Sequence, residues 1–444
     1  MSQKRDLTFR QLVDLSFGYF GVQIAYALQS ANISRIFATL GADPHQLSFF
    51  WILPPLMGML VQPLIGKWSD RTWTRMGRRK PYLLVGAIVA VLVMIFLPNA
   101  GSLNLSTAYV FLGLNSAMWF GLFSLIFLDT SINVAMKPFK MMVGDMVNEE
   151  QKARAYSIQS FLCNAGSLVG YLLPIFFTWI GIANEAPEGV VPDSVITSFY
   201  VGAAILIICV LYTFMKVKEM PPAEYAEFHG IDTSKTEEKG EGLLALLVKA
   251  PRTFWTVGLV QFFCWAAFLY MWTYSNGTLA FNCWGGVTDT ACKAYQDAGN
   301  WVGVAFAVQA AGSILWATIL PKFRNLKTAY VVSLLIGAVG FAALMFITDK
   351  YLACAAYFLI GTAWAAMLAL PFTLLTNALE GNPHMGSYLG LFNCTICLPQ
   401  IIAAATGGLV LKLAGSQPAM LLAAGIFLVI GAFCVKFIEI KHND

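Results

Sequence analysis

Charge is what this chain has least of. Asp, Glu, Lys and Arg make up only 12% of its 444 residues, about half the share of a soluble domain. A water-soluble fold so poor in charge could not cover its surface, so the apolar excess must face lipid. Histidine is scarcer still, with four in the chain. No residue cluster has the spacing of a zinc site, and no Gly-rich loop that would cradle a phosphate is present. No basic patch marks a nucleic-acid partner, and no nucleophile–base pair falls within an apolar stretch. Metal, cofactor, nucleic acid and enzymatic chemistry are therefore not expected. The net charge of +4 is small, and the placement of the charges carries more information than their sum.

Hydrophobic residues make up 58% of the chain and aromatic ones 14%. Stretches long enough to cross a ~30 Å hydrocarbon core recur at about 12–33, 46–66, 81–98, 106–136, 155–182, 195–215, 253–282, 299–320, 328–347, 351–375, 386–412 and 417–437. The expected class is an all-α membrane protein of twelve transmembrane helices in two six-helix halves. Lys4, Arg5 and Arg10 before the first stretch resemble a secretory signal. The eleven stretches that follow, and Gln23, Gln29 and Asn32 within the first, favour a retained span.

With the N-terminus in the cytoplasm, all but four of the 28 Lys and Arg residues fall on the inner side. The exceptions are Arg35, Lys293, Lys350 and Lys412, assigned to outer loops. This positive-inside bias predicts a cytoplasmic (inner) membrane protein with both termini cytoplasmic. The polar stretch 216–252, with Pro221, Pro222 and the charged run Lys235 to Glu241, reads as a cytoplasmic linker between halves 1–215 and 253–444. The halves echo each other: Pro138-Phe139 leads through a turn into Ala155-Tyr156-Ser157, and Pro371-Phe372 into Gly386-Ser387-Tyr388. Seven of the nine cysteines lie in the apolar stretches, where they act as small apolar residues. Cys283 and Cys292 share one outer loop, where a disulfide is possible in an oxidising compartment.

The turn between the second and third stretches carries Gly66, Asp70, Arg71, Gly77, Arg78 and Arg79. This pattern resembles the loop signature of the major facilitator superfamily, in which it forms a cytoplasmic latch. A closer resemblance covers roughly the first 180 residues. Gly21-Val-Gln-Ile-Ala-Tyr-Ala-Leu-Gln29, Trp51-Ile-Leu-Pro-Pro and Gly58-Met-Leu-Val-Gln-Pro-Leu-Ile-Gly66 resemble the plant sucrose transporters and their bacterial and animal relatives. These are proton-coupled sugar symporters, neighbours of the glycoside–pentoside–hexuronide:cation group. The segment Asp129-Thr-Ser-Ile-Asn-Val-Ala-Met-Lys-Pro-Phe-Lys140 is similar too, with Asp129, Asn133 and Pro138 in place and Lys140 where the relatives have Arg. His45, in a Pro-His pair, is also similar to those carriers. The seventh stretch departs from them: Leu269-Tyr-Met-Trp-Thr-Tyr-Ser-Asn-Gly277 has no charge.

Read without the resemblance, that segment still has a chemistry. Asn133 lies about 40° around a helix from Asp129, and Lys140 about 20° around after three turns. A carboxylate within a membrane is costly and points into a cavity or at a partner. Asp129 is the expected proton carrier and Lys140 its counter-charge, although about 16 Å of helix separates them. Sugar recognition needs amides and aromatic faces. The candidate contacts are Gln23, Tyr26, Gln29, Asn115, Trp119, Asn133, Gln159, Trp265 and Tyr270. The expected function is a monomeric, proton-coupled importer of a sugar such as maltose or sucrose, working by alternating access in a lipid bilayer. A carrier of another solute, an exporter and a non-transporting membrane sugar sensor are the alternatives.

Overall fold

A computed structural model describes residues 6–103, 105, 109–221, 223–224, 243–379 and 385–439. Within a helix, the side chains at 66, 67, 70, 149, 152, 153, 243, 244 and 385–387 are not among those described. The charged run Lys235 to Glu241 and Gly386-Ser387 therefore lie outside the described side chains.

The chain is helical nearly throughout because lipid offers the backbone no hydrogen-bond partner, so each segment must satisfy its own N–H and C=O groups. Eleven helical segments are long and apolar enough to cross a membrane. The first helix, α1 (Phe9–Thr39), falls below that apolarity, but its 31 residues extend about 46 Å and make it the twelfth span. After it come α2 (Pro44–Phe50), α3 (Leu53–Arg71), α4 (Lys80–Phe96), α5 (Ser116–Met146), α6 (Glu149–Trp179) and α7 (Asp193–Lys216). The short α8 (Leu243–Val248) precedes α9 (Arg252–Cys283), α10 (Lys293–Ile319), α11 (Leu326–Ala343) and α12 (Lys350–Ala378). The chain closes with α13 (Met385–Phe392), α14 (Cys394–Ala414) and α15 (Gln417–Cys434). A two-residue ladder pairs β1 (Val110–Phe111) with β2 (Leu114–Asn115). Large apolar side chains such as Leu92, Phe127, Ile208 and Phe433 are exposed, as a lipid-facing surface requires.

Polar residues start the helices where the sequence offers them. Asn115, Asn148, Asn325, Asp349 and Ser416 each accept a backbone N–H of the helix they precede. Proline does not end helices here: Pro138 and Pro371 lie inside α5 and α12 at matching depths, in keeping with the echo between the halves.

Internal packing divides the chain into two compact units. The first holds Met1–Asn32, Met57–Ala186 and Val190–Gly240, and the second holds Ile33–Leu56, Pro187–Gly189 and Glu241–Asp444. Residues 33–56, part of the first half by sequence, thus group with the later helices. In the first unit α4 packs on α5 and α7. Gly166 and Gly170 of α6, one turn apart, let α1 approach so closely that a Cβ on Gly170 would come within 2.7 Å of Ala27 Cβ. In the second unit α9 lies against α15, α14, α10 and α12, while α2 rests on α14.

Two of the differences from the sequence-based boundaries bear on buried charges. The fourth span, expected at 106–136, runs from Ser116 to Met146, because Pro138 is tolerated inside it. The first, expected to end near residue 33, continues to Thr39 and takes Arg35 into the helix. Arg35 is therefore not an outer-loop cation: it is 1% exposed. Cys283 and Cys292, between which the sequence makes a disulfide possible, are both free thiols. Cys283 ends α9, and Cys292 occupies the N-cap position of α10, its thiol donating back to the Asp289 carbonyl at 3.1 Å.

Candidate functional site: a buried carboxyl in α5

Asp129 is the fourteenth residue of α5, so the shifted helix boundary moves it from the end of the span to the middle. It is 4% exposed. Gln29 Nε2 donates to Asp129 Oδ1. No Lys, Arg or His forms an ion pair with Asp129 among the described residues. One turn on, Asn133 donates from Nδ2 to the Asp129 carbonyl at 2.8 Å. Its Oδ1 accepts from Gln62 Nε2 of α3, also at 2.8 Å. One carboxamide, Gln29, thus meets the carboxyl itself, while Asn133 and Gln62 link the Asp129 backbone to α3.

Such an arrangement can hold a neutral acid far better than an anion. A buried carboxylate is sustained by a nearby cation or by several N–H donors, and Asp129 has one donor. Lys140, the expected counter-charge, lies exposed near the end of α5, about 16 Å along the axis. It makes no ion pair among the described residues.

The expected sugar contacts separate into groups. Gln23 is buried on α1 and accepts from Ser167 Oγ at 3.5 Å, while Tyr26 is 36% exposed. Gln159 donates to the Phe139 carbonyl at 3.2 Å and to Ser16 Oγ at 3.4 Å, tying α6 to α5 and α1. Asn115 and Trp119 sit at the start of α5, about 21 and 15 Å along the axis from Asp129. There Asn115 accepts the Met118 N–H at 2.8 Å, and the Trp119 indole donates to the Phe111 carbonyl at 3.1 Å. On α9, the Trp265 indole donates to Gln261 Oε1 at 3.1 Å, which leaves Gln261 Nε2 buried without an acceptor. Trp265 stands edge-on to Trp364, and Tyr270 packs against Tyr274 and Phe427.

The latch residues form a second cluster. Arg79 Nε pairs with Asp145 Oδ2 at 2.9 Å, and its Nη1 donates to Ser69 Oγ at 2.5 Å. Arg78 Nε donates to the Ser69 carbonyl at 3.1 Å, and its guanidinium lies over the Trp73 ring. Gly77 has φ +120°, and a Cβ there would lie 2.6 Å from Glu219 Oε1. Arg71 is exposed, and Gly66 and the Asp70 side chain lie outside the described residues. His45 Nδ1 bonds Asp43 Oδ1 at 2.7 Å beside the start of α2.

Sequence reasoning missed four participants. Gln62 and Asp145 sat in plain view, an amide inside a span and an acid at the end of one. Glu219, placed in the linker, accepts the backbone N–H groups of Arg78, Arg79 and Lys80 at 2.7–3.0 Å and closes the start of α4. Arg35 is held by Gln296 and Asn300 of α10, and no local signal announces that meeting.

A twelve-span helical protein with an Arg-rich turn after its second span and a buried acid in its fourth has the build of a secondary transporter. The chain matches the Major Facilitator Superfamily over residues 15–404, and it belongs to that family. Among curated relatives it is 24% identical over 455 residues to a sucrose transport protein of Oryza sativa subsp. indica, covering 90% of this chain and 82% of the relative. It is 29% identical over 166 residues to the Proton-associated sugar transporter A of Homo sapiens, covering 37% of this chain but only 22% of that protein's length. Among solved structures, the nucleoside transporter NupG superposes with a TM-score of 0.70 at 12% identity, covering 98% of this chain and 100% of NupG. The inward open conformation of the E. coli xylose transporter XylE gives 0.68 at 15% identity, covering 98% and 96%. These structures share the fold.

Proposed function

We propose that this facilitator is a proton-coupled symporter that imports a sugar, a disaccharide such as maltose or sucrose, by alternating access. The observation that carries the reading is Asp129: a mid-membrane carboxyl, 4% exposed, bonded by the Gln29 amide and, among the described residues, in no ion pair. In water a carboxyl ionises freely, whereas here the anion meets a single donor. Cycling such a group between an enclosed and a watered state binds and releases one proton. The similarity to sucrose and proton-associated sugar transporters points the same way.

Gln23 and Tyr26 on α1 are the side chains we assign to sugar hydroxyls and C–H faces. Lys140 supplies positive charge at the end of α5. The Lys and Arg distribution supports a cytoplasmic-membrane location with both termini inside, and a monomer is the working unit.

The test is uptake of labelled maltose, sucrose and glucose into proteoliposomes with and without an imposed proton gradient. Accumulation of one of them against its own gradient is expected, collapsing when a protonophore is added. Asp129→Asn should lose accumulation by tenfold or more while retaining exchange of the same sugar across the membrane. Uptake of all three that ignores the gradient would sink the coupling, and full accumulation in Asp129→Asn would remove the named carrier.

A further inference from the structure

The Asp129 carboxyl and the Gln29 carboxamide form one finished and one unfinished hydrogen bond. Gln29 Nε2 donates to Asp129 Oδ1. The two remaining oxygens, Asp129 Oδ2 and Gln29 Oε1, are buried, and neither receives a hydrogen bond. Gln29 is 1% and Asp129 4% exposed, so both oxygens are shut off from bulk solvent. Two acceptors on a bonded pair of groups cannot satisfy each other, and each one left bare forfeits its hydration. A carboxylic acid has the donor that an ionised one lacks.

Placing a proton on Oδ2 completes the set. The acid O–H donates to Gln29 Oε1 while Gln29 Nε2 still donates to Oδ1, which closes a cyclic acid–amide pair. The step makes one O–H bond, takes one proton from water and removes one negative charge, with nothing oxidised or reduced.

No ionisable neighbour competes for the role. Among the described residues, no charged side chain of α1, α3, α4, α6 or α7 bonds to Asp129. Asp14 of α1 accepts from Tyr212 of α7, and Lys80 of α4 donates to the Val217 carbonyl. Lys137 and Lys140 lie two and three turns further along α5. Tyr19 and Tyr26 of α1, and Cys163 and Tyr171 of α6, are further titratable groups between those helices, and among the described residues none of them bonds to Asp129.

We propose that Gln29 is the positioning residue that reads the protonation of Asp129. The protonated acid and the carboxamide tie α1 to α5 through two hydrogen bonds. Loss of the proton leaves one bond and two bare oxygens, so the tie between α1 and α5 is reduced from two hydrogen bonds to one. Gln29 is thereby withdrawn from the sugar contacts and assigned to the proton. The inference rests on the reading of Asp129 as proton carrier.

Infrared difference spectroscopy between acid and alkaline pH, on the full chain in proteoliposomes, tests it without any sugar. The wild type should show a protonated-carboxyl C=O band that Asp129→Asn removes. Gln29→Met keeps the length of the side chain and deletes both hydrogen bonds, so the band should move to higher frequency. Gln29→Asn, an amide one methylene too short to reach, should move it the same way and serves if Gln29→Met does not fold. A band removed by Asp129→Asn but unmoved by both Gln29 variants overturns the pair and leaves the proton carrier standing. The absence of any band that Asp129→Asn removes overturns the carrier, and the pair with it.

Discussion

Arg35 Nε donates to Gln296 Oε1 at 2.7 Å, and the same guanidinium reaches Asn300 Oδ1 at 2.9 Å through Nη1. Gln296 in turn donates to Thr39 Oγ1 at 3.0 Å, so its amide is committed on both sides. A charge this buried relies on every acceptor it has, since hydrogen bonds to charged groups are worth about 1.5–3 kcal/mol. Gln296→Leu is expected to destabilise the protein by about 2 kcal/mol in a thermal unfolding assay. Combining it with Arg35→Met should cost less than the two single changes added together, because the second removes the charge that the first left short of an acceptor.

Glu219 places one carboxylate on the three N–H groups that open α4. A helix start attracts negative charge, and charge-assisted bonds to it are the stronger kind. Glu219→Ala should cost about 2–3 kcal/mol, and Glu219→Gln, which keeps an acceptor, about half of that. Thermal melts of both variants, with transport measured in parallel, check the order.

Gly86 and Gly144 test packing against propensity. A Cβ on Gly86 would lie 2.7 Å from the Ala135 nitrogen and 2.8 Å from the Ser131 carbonyl, on the stretch of α5 that holds Asp129. Gly144, also on α5, has open space around it. Gly86→Ala should lose about 1–3 kcal/mol through overpacking and reduce uptake by displacing α5. Gly144→Ala should be neutral or gain up to about 1 kcal/mol from helix propensity. Melting temperature and sugar uptake, measured on both variants, separate the two effects.

Asp43 caps α2 and shares a capping box with Gln46. Burial pushes its carboxyl up, but bonds from the His45 backbone N–H and ring outweigh that and hold it below the usual range. A lowered value means that the ionised cap stabilises the fold above the ordinary Asp pKa of about 3.9, and that this help fades as pH falls through the lower folded value. Asp43→Ala should therefore cost about 1 kcal/mol at neutral pH. The gap between variant and parent melting temperatures should close progressively below about pH 4.

The span count could be read from the chain because membrane helices satisfy their own backbone, so composition and length suffice to find them. The boundaries of α1 and α5 escaped that reading for one shared reason. A lone Arg or a Pro argues against a span locally, and only a partner elsewhere, such as Gln296 for Arg35, makes the residue acceptable inside a helix. Asp129 was legible as well, because an acid in an apolar run has few bland explanations. Its surroundings were not: Gln29 is 100 residues away, and Gln62 lies 71 from Asn133.

The roles of the amides divide along the same line. Gln23, Gln29, Asn133 and Gln159 look alike in the sequence, each an amide on an apolar helix. Packing gives Gln159 to the Phe139 carbonyl, joins Asn133 to Gln62, and turns Gln29 onto the carboxyl. Local composition thus settles that twelve helices cross a membrane with an acid inside the fourth, since burial in lipid is a property of each segment. Which donor faces that acid, and whether a cation does, depends on helices distant in the chain meeting at one depth, and that is information only the folded molecule holds.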